Sequence, residues 1–174
     1  MLRAIAGLWN CGDGQITRPP LGEMFFLPQR PYMIHGTLRE QLLYPEDKST
    51  ISDCALKMVM KKVNLEDLAE RFGGFEVVMD WAQLLSLGEQ QRLSFARLLL
   101  TGPQYAILDE ATSALDIQNE ARLYNQLKES GMTYVSVGHR PSLLSYHDKV
   151  LELQGSGDWR LVPVEEFRDY IPCI

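Results

Sequence analysis

The run Tyr105-Ala106-Ile107-Leu108 constrains this chain most. It sits between a strong helix stop, Thr101-Gly102-Pro103, and a pair of carboxylates, Asp109-Glu110. It is too short for a helix and too apolar for a surface loop, so it reads as a buried strand. A helix-period segment precedes it, Ser86 to Leu100. Another follows, Ile117 to Lys128, closed by Gly131. Thr133 to Val137 is β-branched and apolar, hence a second strand, ending at Gly138-His139. Met24 to Leu27 fits a third, which Pro28 ends. Strands alternating with helices place the chain in the α/β layer class.

The remaining segments fill in around that frame. Residues 1–9 read as a helix with Leu2, Ile5 and Leu8 on one face, although no capping residue precedes it. Asn10 to Pro20 is rich in Gly and Pro and reads as a loop. From Gly36 to about Gly74 the pattern is helical. Ser52 is placed to cap a helix carrying Ala55, Val59 and Val63. Asn64 is placed to cap the next, with Leu65, Leu68, Ala69 and Phe72, which Gly73-Gly74 stops. Val150 to Leu153 and Arg160 to Val162 read as a closing hairpin or edge strands.

Composition narrows the function classes. At 174 residues the chain is long enough for one domain with a sizeable core. A hydrophobic share of 45% and a charged share of 23% are globular values, which argues against disorder. The net charge of −6 argues against a nucleic-acid-binding surface. Cys11, Cys54 and Cys173 are far apart and form no CxxC pair, so a zinc site or disulfide framework is not expected and reduced thiols are. No apolar stretch approaches the ~18 residues that span a bilayer, and the N-terminus lacks the basic start and long apolar centre of a signal peptide. If the protein serves a membrane, other chains or other segments are expected to cross it.

Four short motifs can carry chemistry. Asp109 and Glu110 follow an apolar strand, at the end where α/β sheets place ligands. One carboxylate there can hold Mg²⁺ through water, and the next can polarise an attacking water. The same residues also fit a strand running into a helix cap. Leu85-Ser86-Leu87-Gly88-Glu89-Gln90-Gln91-Arg92 opens a helix whose free N–H groups can bind an anion, and Ser86-x-x-Glu89 equally fits a capping box. His139, straight after a strand, can contact a terminal phosphate or be structural. Gln29, in Phe26-Leu27-Pro28-Gln29-Arg30-Pro31-Tyr32, can present its amide oxygen to a metal or water.

Taken in order, Gln29, the Ser86–Arg92 segment, Asp109-Glu110, the turn Ser113-Ala114-Leu115-Asp116 and His139 resemble the nucleotide-binding domain of ABC transporters. In that family these are the Q-loop, signature motif, Walker B with its catalytic glutamate, D-loop and H-loop. The resemblance runs from Met1 to about Leu153. Leu27-Pro28-Gln29-Arg30-Pro31-Tyr32, Gly36-Thr37-Leu38-Arg39-Glu40-Gln41, Tyr44-Pro45 and Arg3-Ala4-Ile5-Ala6-Gly7-Leu8-Trp9 resemble subfamily D, which holds peroxisomal transporters of fatty acids or their CoA esters and bacterial relatives.

The resemblance implies a P-loop NTPase (RecA-like) α/β core with a helical signature subdomain over about residues 36–100. It implies ATP and Mg²⁺ as cofactors, with Asp109 organising the metal and Glu110 acting as base. Gln29 would sense metal and water, and His139 would steady the γ-phosphate. Ser86 and Gly88, with Glu89 beside them, would bind the γ-phosphate of a partner's ATP, and Asp116 would cross that interface. The implied partners are a second nucleotide-binding domain, paired head to tail, and a transmembrane domain. The implied location is the cytosolic face of a bacterial inner membrane or a peroxisomal membrane.

Two departures stand out. Leu87 occupies a position where many members have glycine. The motif G-x-x-x-x-G-K-[ST] occurs nowhere in the chain. The family places that loop immediately before the first helix here, with its strand beside the Asp109 strand. The expectation is therefore an N-terminally truncated domain that lacks the first strands and the phosphate loop, binds ATP poorly alone and tends to aggregate along an exposed strand edge. A catalytically inactive partner that lends only its signature motif, or a soluble ABC ATPase, are the alternative readings. The long coiled coil of the repair members and the tandem domains of the translation members do not appear in the sequence.

Overall fold

The computed structural model describes residues 1–9, 11–46, 50–154 and 157–168. Asn10 and Cys173 lie outside them; Cys11 and Cys54 are free, exposed thiols. The chain divides into two compact units, 1–138 and 139–174.

The first unit opens with α1 (Leu2–Ile5), followed by a 3₁₀ turn at Leu21–Glu23 and β1 (Met24–Leu27). Next come β2 (His35–Thr37), α2 (Leu38–Leu43), α3 (Asp53–Lys62), α4 (Leu68–Arg71), β3 (Val78–Asp80) and α5 (Trp81–Leu84). It closes with α6 (Leu87–Thr101), β4 (Tyr105–Asp109), α7 (Ile117–Ser130) and β5 (Thr133–Val137). The second unit holds a 3₁₀ turn at Pro141–Tyr146, β6 (Lys149–Leu153), β7 (Trp159–Pro163) and α8 (Val164–Arg168).

β1, β4 and β5 form a parallel sheet in the order β1-β4-β5, with Leu27 opposite Leu108 and Asp109 opposite Val137. The apolar run of β4 is its middle, and Ala106, Ile107 and Leu108 are buried. Both edges of β4 are therefore occupied, by β1 and by β5. This corrects the expectation that the strand of a phosphate loop lies beside the Asp109 strand. Val135 is exposed in β5, which flanks the sheet.

The helical layer is built from capped amphipathic pieces. Thr37 caps α2 in a capping box with Glu40, and Ser52 caps α3. Leu38, Leu42, Leu56, Met60 and Leu93 are at most 1% exposed and join α2, α3 and α6 into one core; burying each such side chain contributes roughly 1.5–3 kcal/mol. Trp81 sits among them, donates Nε1–H to Gly36 O at 2.7 Å and meets the Phe72 ring edge-on. α6 ends at Gly102 and α7 at Gly131, both in the left-handed conformation that favours glycine.

Three local expectations need correction. The N-terminal helix stops at Ile5, because Gly7 takes φ +75° and turns the chain. Asn64 is not a cap: it adopts φ +58°, and Asp67 stands at the N-cap of α4. The stretch from Gly36 is not wholly helical, because His35–Thr37 pairs antiparallel with Val78–Asp80. These two short strands have no apolar alternation to announce them.

In the second unit, β6 and β7 pair antiparallel as a hairpin. Glu152 and Arg160 form an ion pair on one of its faces. Leu151, Leu153, Trp159 and Leu161 are exposed on the other.

Candidate functional site

The site begins where two adjacent strands end. β1 delivers the chain to Pro28 and Gln29, and β4 delivers it to Asp109 and Glu110. Because these strands are parallel neighbours in register, their C-terminal tips lie side by side. Gln29 Nε2 donates to Glu110 Oε2 at 2.6 Å, across 81 residues of sequence. Glu110 has φ +48°, an uncommon left-handed conformation for a residue with a side chain. Its N–H donates to Val137 O at 3.0 Å, and its carbonyl accepts from Ser113 N–H at 3.0 Å. The turn is thus fastened on both sides. Asp109, one residue earlier, is exposed at the strand tip. The tip offers two carboxylates and an amide, a hard oxygen set suited to orienting water or a divalent cation.

The second cluster is the start of α6. Ser86 is the N-cap, exposed, and its capping box with Glu89 is complete. Glu89 Oε2 accepts from Ser86 N–H at 2.9 Å and from the Ser86 hydroxyl at 2.8 Å. Glu89 Oε1 accepts from Arg71 Nη2 at 2.5 Å. Burial works against the charged form of Glu89, but Arg71 and the two Ser86 donors outweigh it, so its pKa lies below the ordinary value. Both readings of this segment thus meet in one residue: the cap is real, and the helix start is solvent-exposed. Leu87 points outward, and Gly88 packs so closely on the next turn that a Cβ there would stand 3.1 Å from Ala114 O.

Asp116 serves its own helix. It is the N-cap of α7 and accepts from Asn119 N–H at 2.8 Å and from the Asn119 side-chain amide at 2.6 Å. The Asn119 backbone N–H, followed by its side chain, lowers the Asp116 pKa. Asn119 in turn accepts from Asn64 Nδ2 at 2.9 Å. His139 begins the second unit, two residues past the end of β5.

Three residues to which the sequence reading gave no individual role support these clusters. Arg71 neutralises Glu89. Arg97, 4% exposed, donates to Gln41 O at 2.5 Å, Tyr32 O at 2.7 Å and Gln41 Oε1 at 3.0 Å, fixing the segment that follows Gln29. Burial pulls its pKa down to about 10. Gln91, fully buried, reaches Gln29 and the Ser113–Asp116 turn. Arg71 and Arg97 lie in no motif, and Gln91, inside the Ser86–Arg92 segment, takes its role from partners remote in sequence.

Comparison with known proteins gives the arrangement its family. The ABC transporter family model matches residues 1–113. The chain belongs to the ABC transporter family. An ABC transporter ATP-binding protein of Synechocystis sp. is 57% identical over 164 residues, 94% of this chain and 25% of the relative. Human ATP-binding cassette sub-family D member 3 is 40% identical over 171 residues, covering 95% of this chain and 26% of the relative. The mouse lysosomal cobalamin transporter ABCD4 is 43% identical over 176 residues, 95% of this chain and 29% of the relative. This ABC transporter chain therefore spans roughly a quarter of the length of these relatives, and the subfamily D resemblance is supported by them. A bacterial Atm1-family ABC exporter solved with ATP bound superposes with a TM-score of 0.73 at 25% identity, over 86% of this chain and 27% of the exporter. The α/β architecture is that of an ABC ATPase.

Proposed function

We propose that this chain supplies the water-handling tip and the signature helix of an ATP-hydrolysing engine that drives an ABC transporter. The observation that carries the reading is the Gln29–Glu110 hydrogen bond at the tips of neighbouring parallel strands. Glu110 is the base or water-positioning group, and Gln29 orients it and presents its own oxygen to water or metal. Asp109, exposed beside them, holds Mg²⁺ through water; its carboxylate and the Gln29 amide oxygen suit that hard cation. When bound, Mg·ATP supplies the phosphoryl group and the charge that these residues orient and offset. His139 steadies the γ-phosphate. Ser86 and Gly88 present the start of α6 to the γ-phosphate of ATP held by a second, head-to-tail domain, and Glu89 sets the Ser86 hydroxyl. Asp116 faces that same interface. Residues of about 36–100 form the helical subdomain, and the remainder forms the α/β core.

The two clusters fit this division of labour. One groups oxygen donors; the other exposes a helix N-terminus. No helix among the described residues is long and apolar enough to cross a membrane. We place the cargo-selecting helices in a transmembrane partner segment, and the engine at the cytosolic face. Subfamily D resemblance points to fatty acids or acyl-CoA, while the mouse relative bears a cobalamin transporter's name; cargo is thus assigned to the membrane segment and not to this chain.

The test mixes this chain with the part of the Synechocystis relative's ATP-binding domain that precedes the matched segment, so that the two pieces together form whole domains, and measures Mg·ATP hydrolysis. The chain is expected to raise hydrolysis, Glu110→Gln to remove most of that gain, and Ser86→Ala to weaken it. Gain lost on Ser86→Ala but untouched by Glu110→Gln would refute the catalytic role and leave a chain that only lends its signature helix. Micromolar ATP binding by the chain alone, seen by calorimetry, would refute the division of the site between two domains.

A further inference from the structure

Gln91 uses both ends of one side-chain amide on two different loops. Its Nε2 donates to Gln29 O at 2.9 Å and to Ser113 Oγ at 3.2 Å. Its Oε1 accepts from Ala114 N–H at 3.0 Å. These partners lie 62, 22 and 23 residues away in sequence. The residue is fully buried, so its own amide is shielded from water while its partners reach the surface.

The backbone carrying Gln91 is stiff. α6 runs for 15 residues, and Ser94 Oγ donates to Gln91 O at 2.7 Å. Gly88 lies one turn earlier on the same helix face, and a Cβ there would stand 3.1 Å from Ala114 O. The start of α6 thus meets the Ser113–Asp116 turn twice, once by close packing and once by hydrogen bonding. Gln29 is held by the same helix through its carbonyl, while its side chain reaches Glu110.

We propose that Gln91 is a positioning residue that locks the Gln29 loop, the Ser113–Asp116 turn and the start of α6 into one unit, so that a displacement of the turn reaches the Gln29–Glu110 pair. The claim concerns geometry; its importance for hydrolysis rests on the function proposed above. Only an amide fits this place. A carboxylate would keep the Ala114 bond but set a negative oxygen against Gln29 O. A thioether would fill the volume and make none of the three bonds.

The experiment is NMR on the full ¹⁵N-labelled chain, reading the Gln29 side-chain amide and the exchange rate of the Ala114 amide. Ser113→Ala, at an exposed position, removes one Gln91 partner without touching the core. It is expected to shift the Gln29 side-chain amide signal, and that shift is expected to vanish when Ser113→Ala is made in a Gln91→Met background. Gln91→Glu should move the Gln29 signal while Ala114 stays protected. Gln91→Met should move the Gln29 signal and speed Ala114 exchange by about five- to tenfold, the loss of one part-buried hydrogen bond. A Gln29 signal that ignores Ser113→Ala, or that responds equally with Gln91 absent, overturns the proposal and leaves Gln91 a core filler. Failure of the hydrolysis test with the Gln29 shift intact would refute the function and leave the mechanical link standing. Normal hydrolysis with no Gln29 shift would refute the link alone.

Discussion

Replacing Glu89 by glutamine tests how the signature helix is held. Glu89 has two oxygens and three donors: Arg71 on one, the Ser86 N–H and hydroxyl on the other. A glutamine offers one carbonyl oxygen and an NH₂ that faces donors. It keeps either the capping box or the Arg71 contact, not both. Losing the reciprocal cap costs about 0.5–1 kcal/mol. The Glu89 side chain is 15% exposed but that of Arg71 is 42% exposed, so solvent screening holds their pair to roughly 0.2–1 kcal/mol. Removing a negative charge from the first turn of α6 adds about 0.3–1 kcal/mol. The expected loss is about 1–2 kcal/mol near neutral pH, each kcal/mol lowering Tm by roughly 2–4 °C in a chain of this size. The pH dependence fixes the cause. The folded-state pKa of Glu89 lies below its reference value of 4.5, so this stability is present above 4.5 and is lost as pH falls through the lower folded value. Urea unfolding of both proteins, followed by circular dichroism from about pH 7 downward, should show the gap closing below 4.5. A variant as stable as the parent near neutrality, or a gap that persists unchanged in acid, would refute the reasoning.

Two further outcomes follow from the buried polar groups. Arg97→Met strands the carbonyls of Tyr32 and Gln41 and leaves the Gln41 side-chain oxygen with the Ile34 N–H alone; it is expected to cost about 2–4 kcal/mol in urea unfolding, and a loss under about 1 kcal/mol would contradict the assigned contacts. Tyr124 is 2% exposed, and burial raises its pKa from 10.0 to about 12. Its folded-state pKa is raised, so its contribution is whole below pH 10.0 and is lost as pH climbs towards about 12. That loss is on the order of 2–3 kcal/mol, and Tyr124→Phe should flatten it in an alkaline unfolding series.

The strands at 24–27, 105–109 and 133–137 were legible because each is a short apolar or β-branched run bounded by Gly, Pro or acidic residues. The ends of α6 and α7 were legible for a similar local reason: Ser86, Gly102 and Gly131 are capping chemistry. Asn64 misled because the residue that caps a helix also tolerates φ +58°, and only packing against Asn119 decides between them. At the site, the motifs marked Gln29 and Glu110 separately; their contact needs the parallel register of β1 and β4. Arg71, Arg97 and Gln91 stayed without an assigned role, since Glu89, Gln41 and Gln29, which they hold, lie 18, 56 and 62 residues away in sequence.

Glu110 stands where the main chain would be best served by glycine or asparagine. Selection for folding alone would drift away from glutamate there, because a residue with a Cβ pays roughly 1 kcal/mol for that conformation. A library randomised at this codon and sorted only for thermal resistance should therefore enrich replacements that abandon the carboxylate, separating durability from chemistry at a single position.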